Sequence, residues 1–428
     1  MALPVKRTKH RTKKTRRKTP KRTSKKGGVI RIENENDMNP FQCPISLELM
    51  VDPVVASDGN TYERRSIQRV LNTTRASPFT REQLTMNLHP NKTLKSIMSM
   101  IADHNDDFRN QFEEARNFVQ NIAFTTETLR DAVRMYVNDP VSTVQHYGEI
   151  GTWNVSNVTD MTAMFSDAES FNQPLNDWNV LNVTNMEDMF QFAESFNQPL
   201  NSWNVSNVTN MKNMFYCAES FNQPLNSWNV SNVTNMEDMF QFAESFNQPL
   251  NDWNVLNVTN MRHMFEGATS FNQPLNNWNV SNVTVMERTF FDTESFNQPL
   301  NNWNVSNVTD MLEMFSNART FNQPLNDWNV SNVTDMNRMF AFARSFNQPL
   351  NDWNVLNVND MNRMFANTEF FNQPLNDWNV LNVTYTGEIF EGARSFNQPR
   401  TVDMFLRHTR QRSESDDETQ RNTRQRIE

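Results

Sequence analysis

The chain has 428 residues, with 40 Lys or Arg against 49 Asp or Glu and a formal charge of −9. Thirteen of the basic residues and no acid fall within residues 1–28, so a basic tail is attached to a body of formal −22. Two cysteines, Cys43 and Cys217, exclude a disulfide scaffold and a multi-cysteine zinc site and fit a reducing compartment. No apolar run of about 18 residues predicts a membrane span, and the charged N-terminus lacks the apolar stretch of a secretory signal.

Residues 1–37 carry no hydrophobic pattern and read as a disordered basic tail. Its Lys6–Lys26 stretch suits nuclear import, or a nucleic-acid contact by charge alone. Residues 38–104 change character. Asp52-Pro53-Val54-Val55-Ala56 and Thr61-Tyr62 flank Ser57-Asp58-Gly59-Asn60, which signals a hairpin. Ile67, Val70 and Leu71 place an apolar stripe on a short helix, and Ser77-Pro78-Phe79-Thr80-Arg81 reads as a loop. Leu94, Ile97, Met98 and Ile101 mark another helix. Its stripe continues through Phe108, Phe112, Ala115, Val119 and Ile122. That predicts a helical linker over 105–123, acting as a strut or, through 92–122, as the seam of a homodimer. In 124–152 a helix over Thr128–Tyr136 is stopped at Asp139-Pro140, and this segment should cap the array that begins at Trp153.

From Trp153 to Trp378 every tryptophan falls on a 25-residue grid, giving ten units close to W-N-V-S-N-V-T-x-M-x-x-M-F-x-x-A-x-S-F-N-Q-P-L-N-x. One such unit is too short to bury its own apolar face, so the stack predicts an elongated solenoid over 153–402. Leu175, Trp178, Val180 and Val183 have the spacing of a leucine-rich-repeat strand and the turn after it. Thr184-x-x-Glu187 reads as a capping box, and Met186, Met189, Phe190 and Ala193 as the buried face of a short helix. The fold class expected is thus an α+β domain followed by an α/β, leucine-rich-repeat-like solenoid, with disordered termini. The recurrent asparagines Asn172, Asn179 and Asn182 are read as structural. Inward ones need a vertical ladder of bonds to neighbouring backbone, while Asn179 should face out. A partner would read the exposed strand face, where Asp177, Asn179, Asp252, Asp327 and Asp352 are the candidate substrate-binding residues. On the face expected to be helical, acid gives way to base toward the C-terminus. The last unit degenerates at Thr386, Gly387 and Arg400, as a terminal cap should, and residues 403–428 read as a polar tail.

Chemistry, if any, lies outside the array. Cys43-Pro44-Ile45, Met50, Asp52-Pro53-Val54, Gly59-x-Thr61-Tyr62-Glu63-Arg64, Ile67, Leu71, Ser77-Pro78-x-Thr80-Arg81, Leu84 and Pro90-Asn91-x-x-Leu94 resemble the U-box family in order and spacing. The resemblance implies a RING-like fold held by salt bridges and hydrogen bonds without zinc. It also implies a ubiquitin ligase that recruits a ubiquitin-loaded conjugating enzyme, with no cofactor, no metal and no nucleophile of its own. By motif, Ile45, Leu47, Val70 and Pro78 are expected to touch that enzyme, and Arg81 to bridge it to ubiquitin. Arginine's planar fork of donors suits bridging better than a lysine. Val70 stands where the family commonly has an aromatic ring, a loss of contact worth about 1–2 kcal/mol. The repeats resemble the BspA-type leucine-rich family, which implies protein binding. The reading is an intracellular ubiquitin-protein ligase, cytoplasmic or nuclear (in a host cell if the chain is viral), holding protein substrates on its solenoid. The alternative is a non-catalytic interaction or adhesion scaffold with a degenerate U-box. The array 151–400 contains a single lysine, Lys212. That would spare a ligase's own arm, although duplication of a lysine-free unit gives the same pattern.

Overall fold

The computed structural model describes residues 41–85, 87–121 and 123–409, which divide into one unit up to 117 and another from 118. The basic tail and residues 410–428 lie outside the described residues.

In the first unit, β1 (Pro53–Val55) pairs antiparallel with β2 (Thr61–Glu63) and with β3 (His89–Pro90), in the order β2-β1-β3. The expected hairpin closes by Ala56 N–H donating to Asn60 O (3.0 Å), with Gly59 at φ +77°. That conformation is free of strain for glycine. Pro90 sits in an edge strand, where its missing N–H breaks no ladder. β2 runs directly into α1 (Arg64–Thr73), which buries Ile67 and Leu71. Asn91 caps α2 (Lys92–His104) by accepting from Leu94 N at 3.0 Å. α3 (Asp106–Asn121) contributes Phe108 to the same core, edge-on to Phe41 at 5.7 Å.

The second unit starts with α4 (Thr126–Asn138) and α5 (Pro140–Tyr147). Asp139 ends the first and caps the second, where Pro140 occupies the first turn without loss of a needed N–H. α4 buries Leu129, Ala132, Val133 and Tyr136, at i, i+3, i+4 and i+7. Tyr136, Tyr147 and Phe124 cover Trp153 of the first repeat at 6.0, 5.6 and 5.2 Å between rings. At the other end residues 399–409 are helical, where the sequence reading begins a tail at 403. Phe405 packs edge-on against Phe390 at 5.7 Å and buried His408 bonds Val383 O at 2.7 Å, so this helix covers the last repeat.

The repeats bury the expected positions, from Leu175 and Trp178 through Met186, Met189, Phe190 and Ala193 to Phe196 and Leu200. Their local structure differs from the expected strand and helix: from 153 to 398 the repeats hold neither. Consecutive units instead meet at single parallel bridges, from Asp160 to Asn185 and onward to Tyr385. The stretch expected to be helical is a run of tight turns, in which Met189 N–H returns to Met186 O and Ala193 N–H to Phe190 O. Between those turns, N–H groups of Met186, Asp188, Phe190 and Phe192 donate to carbonyls of the next unit at 3.0, 2.9, 2.9 and 2.8 Å. Asp188 and Phe192 take left-handed backbone (φ +56° and +55°), which breaks any helix.

The reason is the spacing between units. Phe190 stacks on Phe215 at 5.6 Å and Phe196 on Phe221 at 6.0 Å, and Trp203 lies parallel to Trp228 at 6.4 Å. Packed helices need about 8–10 Å between axes, whereas backbone bonded to backbone needs about 5 Å. A stack this tight has no room for one helix per unit. Thr184 correspondingly does not cap: its N–H and hydroxyl both reach Thr159 O one unit back (2.9 and 3.2 Å), and Glu187 N–H bonds Asn185 Oδ1.

Polar side chains join the same scheme. Asn172 Oδ1 accepts from Asn197 N–H and from Gln198 Nε2, both at 3.0 Å, and the pair recurs along the array. Asn182 donates to Ser156 O at 2.8 Å, and exposed Asn179 closes a local turn by accepting from Leu181 N–H. From Trp178 onward each buried indole donates to a backbone carbonyl 28 residues back, as Trp228 Nε1 does to Leu200 O at 2.9 Å, while Trp153 donates to Gly148 O. Two substitutions separate packing from polarity. Phe221→Ala should cost about 3–5 kcal/mol, the usual loss for a buried ring. Trp228→Phe keeps most of the apolar surface but removes one of the two bonds to Leu200 O, which still accepts from Trp203 N–H at 3.1 Å, and should cost about 0.5–1.5 kcal/mol. Urea denaturation of the whole chain checks both, with an unchanged midpoint for Trp228→Phe counting against the indole bond.

Candidate functional site

Two loops of the first unit share one plan. Cys43 N–H donates to Glu48 O (2.7 Å) and Leu47 N–H returns to Cys43 O (2.8 Å). Ser77 N–H donates to Glu82 O (2.8 Å) and Arg81 N–H returns to Ser77 O (3.0 Å). Bridges at Gln42–Leu49 and Ala76–Gln83 close the two bases. Leu47 and Arg81 occupy equivalent positions, both left-handed at φ +61°. For non-glycine residues this is a strained geometry, costing about 1–3 kcal/mol. Two of the five residues expected to contact a partner thus stand at the strained corner of a loop.

The loops are fastened to opposite ends of α1. The first is tied to its start: Glu63 N–H donates to Cys43 Sγ (3.2 Å), and Glu63 Oε2 accepts from Val51 and Asp52 N–H (2.8 and 2.9 Å). Arg64 pairs with buried Asp52 at 2.5 Å. The second is tied to the end of α1, where Arg75 N–H donates to Val70 O at 2.8 Å. It is also tied to the hairpin, since Asp58 Oδ2 accepts from Ser77 Oγ (2.6 Å) and Tyr62 Oη (2.7 Å). Ser77 Oγ in turn accepts from Phe79 and Thr80 N–H. Burial alone would raise the Asp58 carboxyl, but the donors Ser77, Tyr62 and Asn60 outweigh it and hold it below its ordinary 3.8. Burial, with the Asp58 bond, pushes Tyr62 up to about 12.

Leu47 is 74% exposed, Pro78 and Arg81 are exposed, and Ile45 and Val70 are half-buried against the core. No ion pair to Arg81 forms among the described residues, so its guanidinium faces solvent. The sequence reading passed over Phe79, which is 57% exposed and the counterpart of Ile45 in the second loop. The parallel between Cys43-Pro44-Ile45-Ser46-Leu47-Glu48 and Ser77-Pro78-Phe79-Thr80-Arg81-Glu82 was the signal available. Cys43 is buried with its Sγ accepting from Glu63 N–H, and burial pushes the Cys217 thiol up to about 11, so Cys217 offers little thiolate at neutral pH. Among the described residues no cluster of three or more His, Cys, Asp or Glu is arranged to hold a metal, and no helix is long and apolar enough to cross a membrane.

Asp177, Asn179, Asp252, Asp327 and Asp352 are exposed on the second unit, one to a repeat apart from the neighbouring Asp177 and Asn179. Asp352 accepts from Asn326 of the preceding unit, so part of this row serves the stack.

Comparison with known proteins gives two family matches. Five overlapping stretches spanning residues 105–405 match the family described as a Mycoplasma protein of unknown function, DUF285. Residues 39–106 match the U-box domain. A U-box domain-containing protein 12 of Oryza sativa subsp. japonica is 48% identical over 67 residues, covering 15% of this chain and 11% of the relative. U-box domain-containing protein 54 of Arabidopsis thaliana is 41% identical over 95 residues, 20% of this chain and 31% of the relative. The E3 ubiquitin-protein ligase SPL11 of Oryza sativa subsp. japonica is 43% identical over 67 residues, 15% of this chain and 10% of the relative. The chain therefore spans only a tenth to a third of the length of these curated relatives.

The Asp58 knot has a testable pH dependence. Its folded carboxyl titrates below its unfolded value, so its stabilisation is present above about pH 4 and is lost as pH falls through the lower, folded value. Asp58→Ala strands the donors of Ser77 and Tyr62 and should lower local stability by about 1–3 kcal/mol. Hydrogen exchange at neutral pH should show faster exchange in the second loop and α1, and unchanged exchange in the repeats. Uniform protection in the variant would show that the knot contributes nothing.

Proposed function

Since the chain belongs to the DUF285 family through residues 105–405 and carries a U-box domain over residues 39–106, we propose that it is a ubiquitin-protein ligase. The observation that carries this reading is the pair of like-built loops presenting Leu47, Pro78 and Phe79 to solvent beside an exposed Arg81 that forms no ion pair among the described residues. Apolar side chains held outward by a hydrogen-bonded frame suit a partner surface. In this reading Ile45, Leu47, Val70, Pro78 and Phe79 dock a ubiquitin-loaded conjugating enzyme, and Arg81 bridges that enzyme to the donor ubiquitin. The chain adds no nucleophile. It restrains the thioester in a reactive pose and holds a lysine of the target nearby, so the rate gain comes from positioning. The repeats act as a solenoid that binds the target protein, and the work takes place inside the cell.

Lys212 supports the same reading, because its ammonium pairs with Glu237 at 3.2 Å and leaves the repeats without an unpaired acceptor lysine among the described residues. Val70 favours a second reading, a passive scaffold, because a half-buried valine offers a partner less than an aromatic ring would.

Reconstituted self-ubiquitination with a panel of conjugating enzymes separates the two. Activity should survive EDTA. Ile45→Ala and Arg81→Ala should each reduce it about tenfold or more, as loss of an interface anchor does, while Asp177→Asn leaves it unchanged. Silence with every enzyme tried would favour the scaffold. Mass spectrometry of the products should find modification outside 151–400, and heavy modification at Lys212 would contradict the lysine argument.

A further inference from the structure

One row of the repeats changes size along the array. The position held by Gln191, Tyr216, Gln241, Glu266 and Phe291 becomes Ser316, Ala341 and Ala366 in three consecutive units, then returns to Glu391. The missing side chains open a cleft of about 650 Å³, walled by Phe291 at one end and Glu391 at the other. A neighbouring row changes charge in the first two of these units: after Glu169, Glu194, Glu219, Glu244, Thr269 and Glu294 it holds Arg319 and Arg344, and it returns to Glu369 in the third. Arg288, Arg338 and Arg363 complete a lining of five guanidiniums against the carboxylates of Glu313 and Glu391.

These changes serve no core contact, since Arg319, Arg338 and Arg344 are exposed. Buried Glu313 pairs with both Arg288 (2.6 Å) and Arg338 (3.0 Å) and fixes them along the slot. Arg319 leans on Glu294 at 3.1 Å. Arg344 forms no ion pair among the described residues. The Arg288 guanidinium lies over the Phe291 ring at 5.1 Å, and Phe342 at the rim is 47% exposed. Five arginines and two carboxylates thus line this aromatic-edged slot on a body of formal −22. Outside the lining, Glu294 pairs with Arg319 and Glu388 with Arg363, so of the five Arg344 is the one without an ion pair among the described residues. Three units at about 5 Å each give about 15 Å, room for four or five residues of extended chain at about 3.3 Å apiece. Interleaved Glu313 and Glu391 disfavour a continuous phosphate backbone, which suits an alternation of carboxylate and apolar side chains better than a nucleic acid.

We propose that this slot is the docking site for an extended acidic segment, with at least one aromatic residue, of the protein that the chain ubiquitinates. Only the last clause rests on the ligase reading. The segment's carboxylates meet Arg319, Arg338 and Arg344, and its aromatic side chain enters between Phe291 and Phe342. Asp177, Asp252, Asp327 and Asp352 play no part in it.

The repeats themselves supply safe variants. Arg344→Glu and Arg319→Glu restore the residue that other units carry at the same place, and Ala341→Gln restores the glutamine of Gln191 and Gln241, so all three should fold. The probe is a fluorescein-labelled Glu-Asp-Phe-Glu-Asp-Phe peptide, titrated with the full chain and read by anisotropy. It should bind in a salt-sensitive way, and its Lys-Lys-Phe counterpart should not. The Arg319→Glu/Arg344→Glu pair and Ala341→Gln should each weaken binding about tenfold or more. Equal affinity for these variants, or tighter binding of an oligothymidylate to the same slot, would overturn the proposal. So would binding that appears only after removal of the chain's own acidic stretch Ser413–Glu418, which would give the slot to the tail. Peptide binding without any self-ubiquitination would sink the ligase reading and leave the slot standing. Self-ubiquitination with no peptide bound would do the reverse.

Discussion

The distance between one repeat and the next governs the second unit. Phenylalanine rings stacked at 5.6 Å and backbone N–H groups donating to the following unit at 2.8–3.0 Å are two aspects of one register. At that spacing the carbonyls beside any turn are those of an almost identical turn, so alternate N–H groups are satisfied across units. Left-handed corners at Asp188 and Phe192 are what allow this, and each is strained for a residue with a side chain. They persist because every unit places the same corner against the same acceptor, and because the indole and asparagine bonds repeat with it. Helices at both ends close the apolar column where the repeats stop.

Such a stack turns surface chemistry into rows. A position occurs once in each repeat at near-constant geometry, so a substitution alters one step of a row and little else. Three small residues in succession make a slot, and two arginines where most other units carry Glu add guanidinium groups to its lining. The aromatic core rows of Phe190, Phe196 and Trp203 do not vary, because a changed ring meets two neighbours in a close-packed column.

The first unit solves the opposite problem. It has little apolar volume and two loops to hold in place, and it holds them with polar contacts. Asp58 gathers Ser77 and Tyr62, Glu63 gathers two backbone N–H groups, and Asp52 holds Arg64. Bonds of this kind fix direction better than apolar packing does. They leave Leu47, Pro78, Phe79 and Arg81 free to face outward.

By itself the sequence determined the 25-residue period, which side chains are buried, the hairpin at Asp58-Gly59 and the resemblance of 39–104 to a U-box. Each is a local pattern of apolar and turn-forming residues, and such patterns report which way a side chain points. It did not determine where backbone hydrogen bonds go. Met186, Met189, Phe190 and Ala193 keep the spacing of a helix face, yet their N–H groups are divided between local turns and the next repeat. Nor did it bring Arg319, Arg338 and Arg344 around the gap at Ala341. That arrangement depends on residues about 25 positions apart becoming neighbours, and only the packed chain, with its fixed spacing between layers, decides that.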